Sequence, residues 1–474
     1  MSQSNPDLSI KETLTATLQP HDQTQVLRFW NEIDSDGRQR LARQIAEIDL
    51  DELSGLIAGE DEQPDFEALA AAAKTPPHVR ADGGGAAWDT EAARKAGEEA
   101  LRSGKVAAII VAGGQGTRLG FDKPKGMFPV GPVSGRTLFQ FFADTLIAIC
   151  QKYQTRVPLY VMTSDATDDA TRQYFEDNDY LGLDRDDVMI FRQGTMPAVD
   201  AETGKLLLAE KDSLALSPDG HGGTVAAMAR SGALADAQKR GVTLLSYIQV
   251  DNPLAGLCDP VFLGHHLLSG SEMTSQVIRK RYAAEKVGVI VAGPDDRVEV
   301  IEYSDLPDSA AEATDDDGQL KLWAGSIAVH VINIDFLQRM HNADGSLPFH
   351  RASKKVPHID GDGHPVRPES PNATKFEKFI FDLLPSADNA FVVETTPGEG
   401  FAPVKNADGA ETDTPALAKS AMADRYRRWL RQMGAEVDDN AVIEINPRVA
   451  ISPEDLSGKV QQGQKIENGT FLNA

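Results

Sequence analysis

Six consecutive apolar residues, Val106-Ala107-Ala108-Ile109-Ile110-Val111, run directly into Ala112-Gly113-Gly114-Gln115-Gly116-Thr117-Arg118-Leu119-Gly120. So short and wholly apolar a run reads as a strand buried on both faces, as inside a parallel sheet covered by helices. The glycines after it let the backbone turn and let its N–H groups approach an anion with no Cβ in the way. A buried strand followed by a glycine loop opens an α/β unit, and such sheets bind ligands at the carboxyl ends of their strands.

The alternation repeats downstream. A helical stretch from Thr137 to Gln151 is followed by a strand from Pro158 to Thr163 and a helix from Thr167 to Asp177. A further strand from Val242 to Val250 precedes a helix from Asp259 to Leu268. This order predicts a parallel or mostly parallel sheet with helices on both faces. Between Thr274 and Val331 strands predominate, over Gln276–Lys280, Val287–Ala292, Val298–Tyr303 and Ser326–Ile332. They read as a mixed extension of the sheet forming a second wall of a cleft.

The flanks differ in texture. Leu27, Trp30 and Ile33, and then Leu41, Ile45 and Ile48, recur at helical spacing, so residues 1–100 read as a helical N-terminal region. Thr75 to Gly85 reads as a loop. A helix is predicted near Ala416–Met433, then short alternating pieces at Ile443–Ile445 and Val449–Ile451, a small β appendage. The expected organisation is a helical region over 1–100, a catalytic domain over 101–400, and a C-terminal helix with β appendage over 401–474.

The formal net charge of −25 argues against nucleic acid, which requires clustered Lys and Arg. It leaves room for small phosphorylated ligands, because salt screens a distant acidic surface beyond about 10 Å. No apolar run is long enough to span a membrane, and Met1 to Leu18 lacks the pattern of a secretory signal. Two cysteines, Cys150 and Cys258, make no disulfide framework, and the cytoplasm is the expected location.

Three phosphate-binding loops compete for the glycine-rich text. A P-loop requires Lys after its last glycine, where Phe121 stands. A dinucleotide fingerprint requires closer spacing than Gly114, Gly116 and Gly120 provide. The third, the sugar-nucleotidyltransferase loop, is Gly-Gly-x-Gly-Thr-Arg-Leu with a Lys a few residues on, which Arg118 and Lys125 satisfy. Asp251, just past an apolar strand, offers a hard oxygen suited to Mg²⁺, although a turn or helix N-cap is its plain alternative. Lys375 and Lys378 have the spacing of a solvated helix face, and Glu302 that of a water-facing strand residue.

The ordered blocks resemble the eukaryotic-type UDP-sugar pyrophosphorylases, and most closely those for UDP-N-acetylglucosamine. They include Ala112 to Gly126, Tyr160 to Ser164, Ser217 to Gly223, Val250-Asp251-Asn252, Val300 to Ser304, Ala324 to Ala328, Lys375 to Asp382 and Phe401 to Ala407. The resemblance spans roughly Val106 to Ala418. It implies a Rossmann-like, GT-A-like nucleotidyltransferase sheet. It also implies that the backbone from Val111 through Ala112 and Gly113 to Gly114 holds UTP, while Arg118 and Lys125 meet its β and γ phosphates. By the same resemblance Gln193 and the backbone at Gly220 read the uracil, and Asp251 holds Mg²⁺. Glu302 and Tyr303 bind sugar hydroxyls, Lys375 approaches the UTP phosphates, and Lys405 takes the phosphate of the sugar.

Two positions depart from the N-acetylglucosamine pattern, both expected near the sugar: His221 and Ser326 stand where that family has Asn. The pair Gly222-Gly223 matches the N-acetylhexosamine enzymes. The implied reaction joins UTP to a sugar 1-phosphate, with N-acetylglucosamine 1-phosphate favoured and glucose 1-phosphate or broad specificity the alternative. A sugar monophosphate loses its second proton near about pH 6, so the attacking oxygen needs no general base. A non-catalytic UDP-sugar-binding regulator is the rival of another class, opposed by the full set of phosphate-contacting cations.

Overall fold

The computed structural model describes residues 6–59, 65–343 and 347–474. Parts of the 1–100 region, residues 1–5 and 60–64, therefore lie outside the described residues. The chain divides into two compact units. The larger comprises residues 65–192, 224–346 and 381–474, and the smaller comprises 1–64, 193–223 and 347–380.

The larger unit is built on one sheet. Its strands in chain order are β1 (His78–Val79), β2 (Val106–Val111), β3 (Leu159–Thr163), β4 (Val188–Arg192) and β5 (Leu244–Gln249). They continue with β6 (Met273–Arg279), β7 (Val289–Ala292), β8 (Val298–Ile301), β9 (Ala324–Asn333) and β10 (Ala390–Thr395). The spatial order is β1-β10-β6-β9-β5-β2-β3-β4, with the β7–β8 hairpin joined through β9. Every neighbouring pair along that path is parallel except the two made by β9, which is antiparallel to both β5 and β6. The predicted mixed α/β sheet is therefore present, and β2 is buried along all but its last residue because strands flank it and helices cover it.

Local chemistry sets the covering helices. Leu138–Tyr153 begins at a capping box in which Thr137 and Gln140 satisfy each other's backbone N–H groups, and it buries Leu138, Phe139, Phe142 and Leu146. Pro260–Ser269 starts with Pro at its first position behind the N-cap Asp259. It crosses Thr90–Arg102 at very close range: a Cβ on Gly97 would lie 1.9 Å from Pro260 O, and one on Gly264 would lie 1.7 Å from Ala93 O. Two glycines, one on each helix, create that crossing.

The smaller unit packs helices Pro6–Leu18, Ser35–Ala46 and Leu50–Ala58 against short strands, with Leu18, Trp30, Leu41, Leu53 and Phe376 in one core. Leu27 and Trp30 are buried as expected, but Leu27 ends a short 3₁₀ helix, Thr24–Leu27, and the chain continues in turns closed by Arg28 N to Gln25 O, Trp30 N to Leu27 O and Glu32 N to Phe29 O. A spacing of three suits either arrangement, so the helical spacing holds only as far as Leu27 and no continuous helix runs on through Trp30. Lys375 also corrects the sequence reading. It lies on a strand, Ala373–Lys378, paired with Phe349–Lys354 on one side and with Val199–Asp200 on the other. Its buried positions, Ala373 and Phe376, are three apart and imitate a helix face; distant strand partners decide the outcome.

At the C-terminus the helix Pro415–Gln432 is followed by short parallel pairs, Glu436–Val437 with Lys465–Ile466 and Glu444–Ile445 with Phe471–Leu472. Val449–Ile451 forms turns rather than a strand. Glu444, fully buried, accepts hydrogen bonds from the Val133 and Ser134 N–H groups and from Ser134 Oγ, anchoring the appendage to the loop before Leu138–Tyr153.

Candidate active site

In the larger unit, β2 delivers the glycine loop to the carboxyl edge of the sheet. The loop folds back on itself through Gly116 N to Lys123 O, Phe121 N to Gly116 O and Lys125 N to Gly114 O. Gly116 is required by packing, since a Cβ there would meet Phe121 at 2.7 Å. Gly114 differs: its nearest neighbour beyond the adjoining residues is Lys125 Cε at 3.9 Å, so space lies open over its Cα. The loop's carbonyls are braced from behind, with Ser164 Oγ donating to Gly113 O at 2.8 Å and Thr167 Oγ1 to Ala112 O at 3.4 Å. Among the described residues nothing accepts the N–H groups of Gly113 and Gly114. Carbonyls tied back and N–H groups left free are the features of an anion cradle.

Lys125 and Asp251, 126 positions apart, meet here: Nζ lies 3.1 Å from Oδ2, with the side chains 16% and 13% exposed. Asp251 also fixes Lys405, because its carbonyl accepts the Val404 N–H at 2.8 Å. The next residue, Asn252, is buried; its Nδ2 donates to Gly400 O and its Oδ1 accepts from Ala402 N–H. Lys405 is held from the other side by Asp413, whose carbonyl accepts the Lys405 and Asn406 N–H groups. Burial pushes the Asp413 carboxyl above its ordinary value, opposed by the charge of Lys405 and reinforced by that of Asp251. Arg118 is exposed and makes no ion pair among the described residues.

Glu302 follows β8 directly and neighbours Gly288, where a Cβ would sit 2.7 Å from its Oε1. The Gly288 carbonyl in turn accepts the Ser326 N–H at 2.8 Å. Structure thus brings Glu302 and Ser326 together through one glycine, beside a bulge in β9 where Ala328 adopts φ 54° and the register against β6 shifts. Tyr303 is half exposed.

Gln193, Gly220, His221 and Lys375 belong to the smaller unit. Gln193 is buried and its Nε2 stands 3.5 Å from Asp219 Oδ1. Gly220 has φ 85° and packs on Lys378, where any Cβ would strike the backbone at 2.3 Å. His221 stacks on Phe379 and accepts the Ile380 N–H through Nδ1 at 3.1 Å. Loss of solvent, helped by His350, lowers its pKa to about 4, so the ring is neutral at physiological pH. Burial lowers the Lys375 pKa, aided by Lys354 and opposed by Glu377.

Motif matching passed over four residues that the structure places at these sites: Ser164, Asn252, Asp413 and Asp219. Ser164 and Asn252 lie inside the quoted blocks, where an Oγ behind the loop and an amide bridging two segments had a local signal. Asp413 had none, because its partner lies eight residues back across a turn.

As an ion site, Asp251 supplies one hard carboxylate oxygen at the sheet edge, with the Asp413 carboxylate close enough to sense it. Magnesium bound largely through nucleotide phosphates needs one or two such donors, so the residues fit it. The single cluster of three ligand-type side chains among the described residues, Asp360, Asp362 and His364, is explained by its turn, in which Asp360 Oδ1 accepts the Asp362 and His364 N–H groups.

The chain belongs to the UTP–glucose-1-phosphate uridylyltransferase family, whose model matches residues 86–463. It is 38% identical over 374 residues to the UDP-N-acetylglucosamine pyrophosphorylase of Saccharomyces cerevisiae, covering 77% of this chain and 78% of the yeast protein. It is 34% identical to the human UDP-N-acetylhexosamine pyrophosphorylase-like protein 1, covering 98% of each chain. The crystal structure of the uridine diphosphate N-acetylglucosamine pyrophosphorylase of Trypanosoma brucei superimposes with a TM-score of 0.79 at 28% identity, covering 97% of this chain and 95% of that one. The chain is a uridylyltransferase.

Proposed function

We propose that this enzyme transfers the uridylyl group of UTP to N-acetylglucosamine 1-phosphate, releasing pyrophosphate. The observation that carries the reading is the convergence of the free Gly113 and Gly114 N–H groups, Lys125, Asp251 and Lys405 at one sheet edge. A sugar phosphate oxygen is already ionised at neutral pH, so the barrier lies in bringing two anions into line, which calls for positioning and positive charge.

In this reading the loop N–H groups receive the UTP phosphates and Lys405 receives the sugar phosphate. Lys125 and Arg118 neutralise the pyrophosphate as it departs. Asp251 would hold Mg²⁺, which when bound draws charge off the nucleotide phosphates. Glu302, Tyr303 and Ser326 take the sugar. The roles of Gln193, Gly220, His221 and Lys375 toward uracil, sugar and phosphate rest on the motif match.

The N-acetylated sugar is preferred to glucose in this reading because the pair Gly222-Gly223 matches the N-acetylhexosamine enzymes. The cytoplasm is the proposed location, supported by the two free cysteines. Among the described residues no helix is long and apolar enough to cross a membrane.

Incubation with UTP, N-acetylglucosamine 1-phosphate and Mg²⁺ tests the reading by mass detection of UDP-N-acetylglucosamine. Formation of the UDP-sugar, abolished by chelator and restored by Mg²⁺, is expected. A folded protein that binds UTP but forms no UDP-sugar from any sugar phosphate would point to the regulator instead.

A further inference from the structure

A cavity of about 490 Å³ lies in the larger unit, between the helices Leu138–Tyr153 and Pro415–Gln432 and the loop 253–258. Its size is that of a small-molecule site. Phe141, Phe142 and Trp429 give it apolar walls. Two side chains that line it leave buried polar atoms without partners: Arg425 Nε, a donor, and Gln276 Oε1, an acceptor. Interiors rarely tolerate such atoms, and two at one cavity point to a group that satisfies them.

Charge narrows the choice. Of the three acidic side chains on the wall, Asp259 accepts the Phe262 N–H as an N-cap, Glu399 is bound by Arg428 and Glu454 is exposed to solvent. Lys152 is held by Asp455 at 2.7 Å. Arg94 has Glu91 at 3.6 Å and its charge also acts on the buried Asp259 carboxyl, whereas Arg425 spends its Nη1 on the Glu399 and Leu254 carbonyls. Arg425 is also fixed over the Trp429 ring, 5.1 Å from its centroid. The cavity therefore combines flat apolar surface with one arginine, Arg425, whose Nε–H has capacity for an anion.

Its walls are the segments that position the catalytic groups. The loop 253–258 continues from Asp251 and Asn252, and Gly400 leads through Val404 to Lys405. Asn252 ties the two segments together, and Arg425 Nη1 reaches a carbonyl on each.

The geometry points to a regulatory site for a small aromatic anion, one flat ring system carrying a carboxylate, sulfonate or phosphate. The ring lies against Phe142 and Trp429, the anionic oxygen takes Arg425 Nε–H, and occupancy shifts Asp251 and Lys405 through the loops that Arg425 and Asn252 join.

1-Anilinonaphthalene-8-sulfonate is a suitable probe, titrated into the full chain without substrates and followed by fluorescence. Saturable binding of one molecule per chain is expected. Thr145→Trp, which fills the cavity from the helix side, and Arg425→Gln should each weaken binding at least tenfold, with circular dichroism confirming that both variants fold. Equal affinity in both folded variants overturns the site. In turnover assays the probe should change kcat severalfold at saturating UTP, and Thr145→Trp should abolish that response. Inhibition that saturating UTP removes entirely overturns the coupling, since a linked site alters the substrate-bound enzyme as well. The binding measurements decide the site whether or not the proposed sugar is the right one.

Discussion

Replacing Asp251 by Asn separates two jobs that the carboxylate performs. It holds the Lys125 ammonium at 3.1 Å in a pair whose side chains are only 16% and 13% exposed. Removing one partner of an exposed pair costs about 0–1 kcal/mol, and of a fully buried pair about 3–5. This pair lies between, so a stability loss of about 2 kcal/mol is expected. The catalytic loss should be larger. The variant lacks the proposed ion ligand and leaves Lys125 without its anchor, which by comparison with a lost oxyanion donor raises the barrier about 3–4 kcal/mol, or roughly 10²–10³ in kcat. The double variant Lys125→Met/Asp251→Asn distinguishes the effects. It should recover part of the stability, having no unpaired charge, and none of the activity. Urea denaturation and pyrophosphate release measured on the same preparations provide the comparison. An Asp251→Asn enzyme retaining a third of native kcat would refute the reasoning, as would recovered activity in the double variant.

Three further outcomes follow from named contacts. Lys405→Ala should fold normally and lose about 10² in kcat as the charge that receives the sugar phosphate disappears; near-native turnover would remove Lys405 from the mechanism. Gly97→Ala and Gly264→Ala should each destabilise the larger unit by about 3 kcal/mol or more, because the added methyl meets main-chain atoms that do not yield; unfolding midpoints equal to native would contradict the close helix crossing. Burial of His266, between Thr274 Oγ1 and Asn333 Oδ1, lowers its pKa to about 4 from an ordinary 6.5. Between those values the unfolded chain takes up a proton that the folded one refuses. Stability is therefore intact above pH 6.5 and falls toward pH 4, by about 1.4 kcal/mol per unit for this group. His266→Gln should reduce the total slope by that amount while His221, shifted the same way, keeps its own share, and an unchanged slope would show that His266 does not contribute.

The sheet was legible because its evidence is local. Val106–Val111 is apolar at every position, and the Asp259-Pro260 and Thr137–Gln140 signals mark helix starts in four residues or fewer. Lys125 was legible from the glycine-loop motif and Asp251 from its place just past a strand, whereas their 3.1 Å pairing depends on β2 and β5 lying side by side, which no local pattern encodes. The strand at Lys375 was hidden for the same reason: two buried positions three apart fit a helix until strands from elsewhere in the chain pair with them. Gly97 and Gly264 carry no signal in the local sequence pattern, and the crossing of their two helices explains them. His221 stood out as a departure in a motif, but its stacking on Phe379 and its bond from Ile380 required the fold.

The most direct test of the account is a competition: equal concentrations of N-acetylglucosamine 1-phosphate, N-acetylgalactosamine 1-phosphate and glucose 1-phosphate, with UTP and Mg²⁺ in one reaction, and the UDP-sugars resolved by mass and chromatography. The account predicts that UDP-N-acetylglucosamine forms fastest, with pyrophosphate released in equal amount. Predominant UDP-glucose would contradict the assignment of the sugar and show that His221 and Ser326 outweigh the Gly222-Gly223 turn. Absence of all three products, from protein that still binds UTP, would contradict the proposed reaction itself.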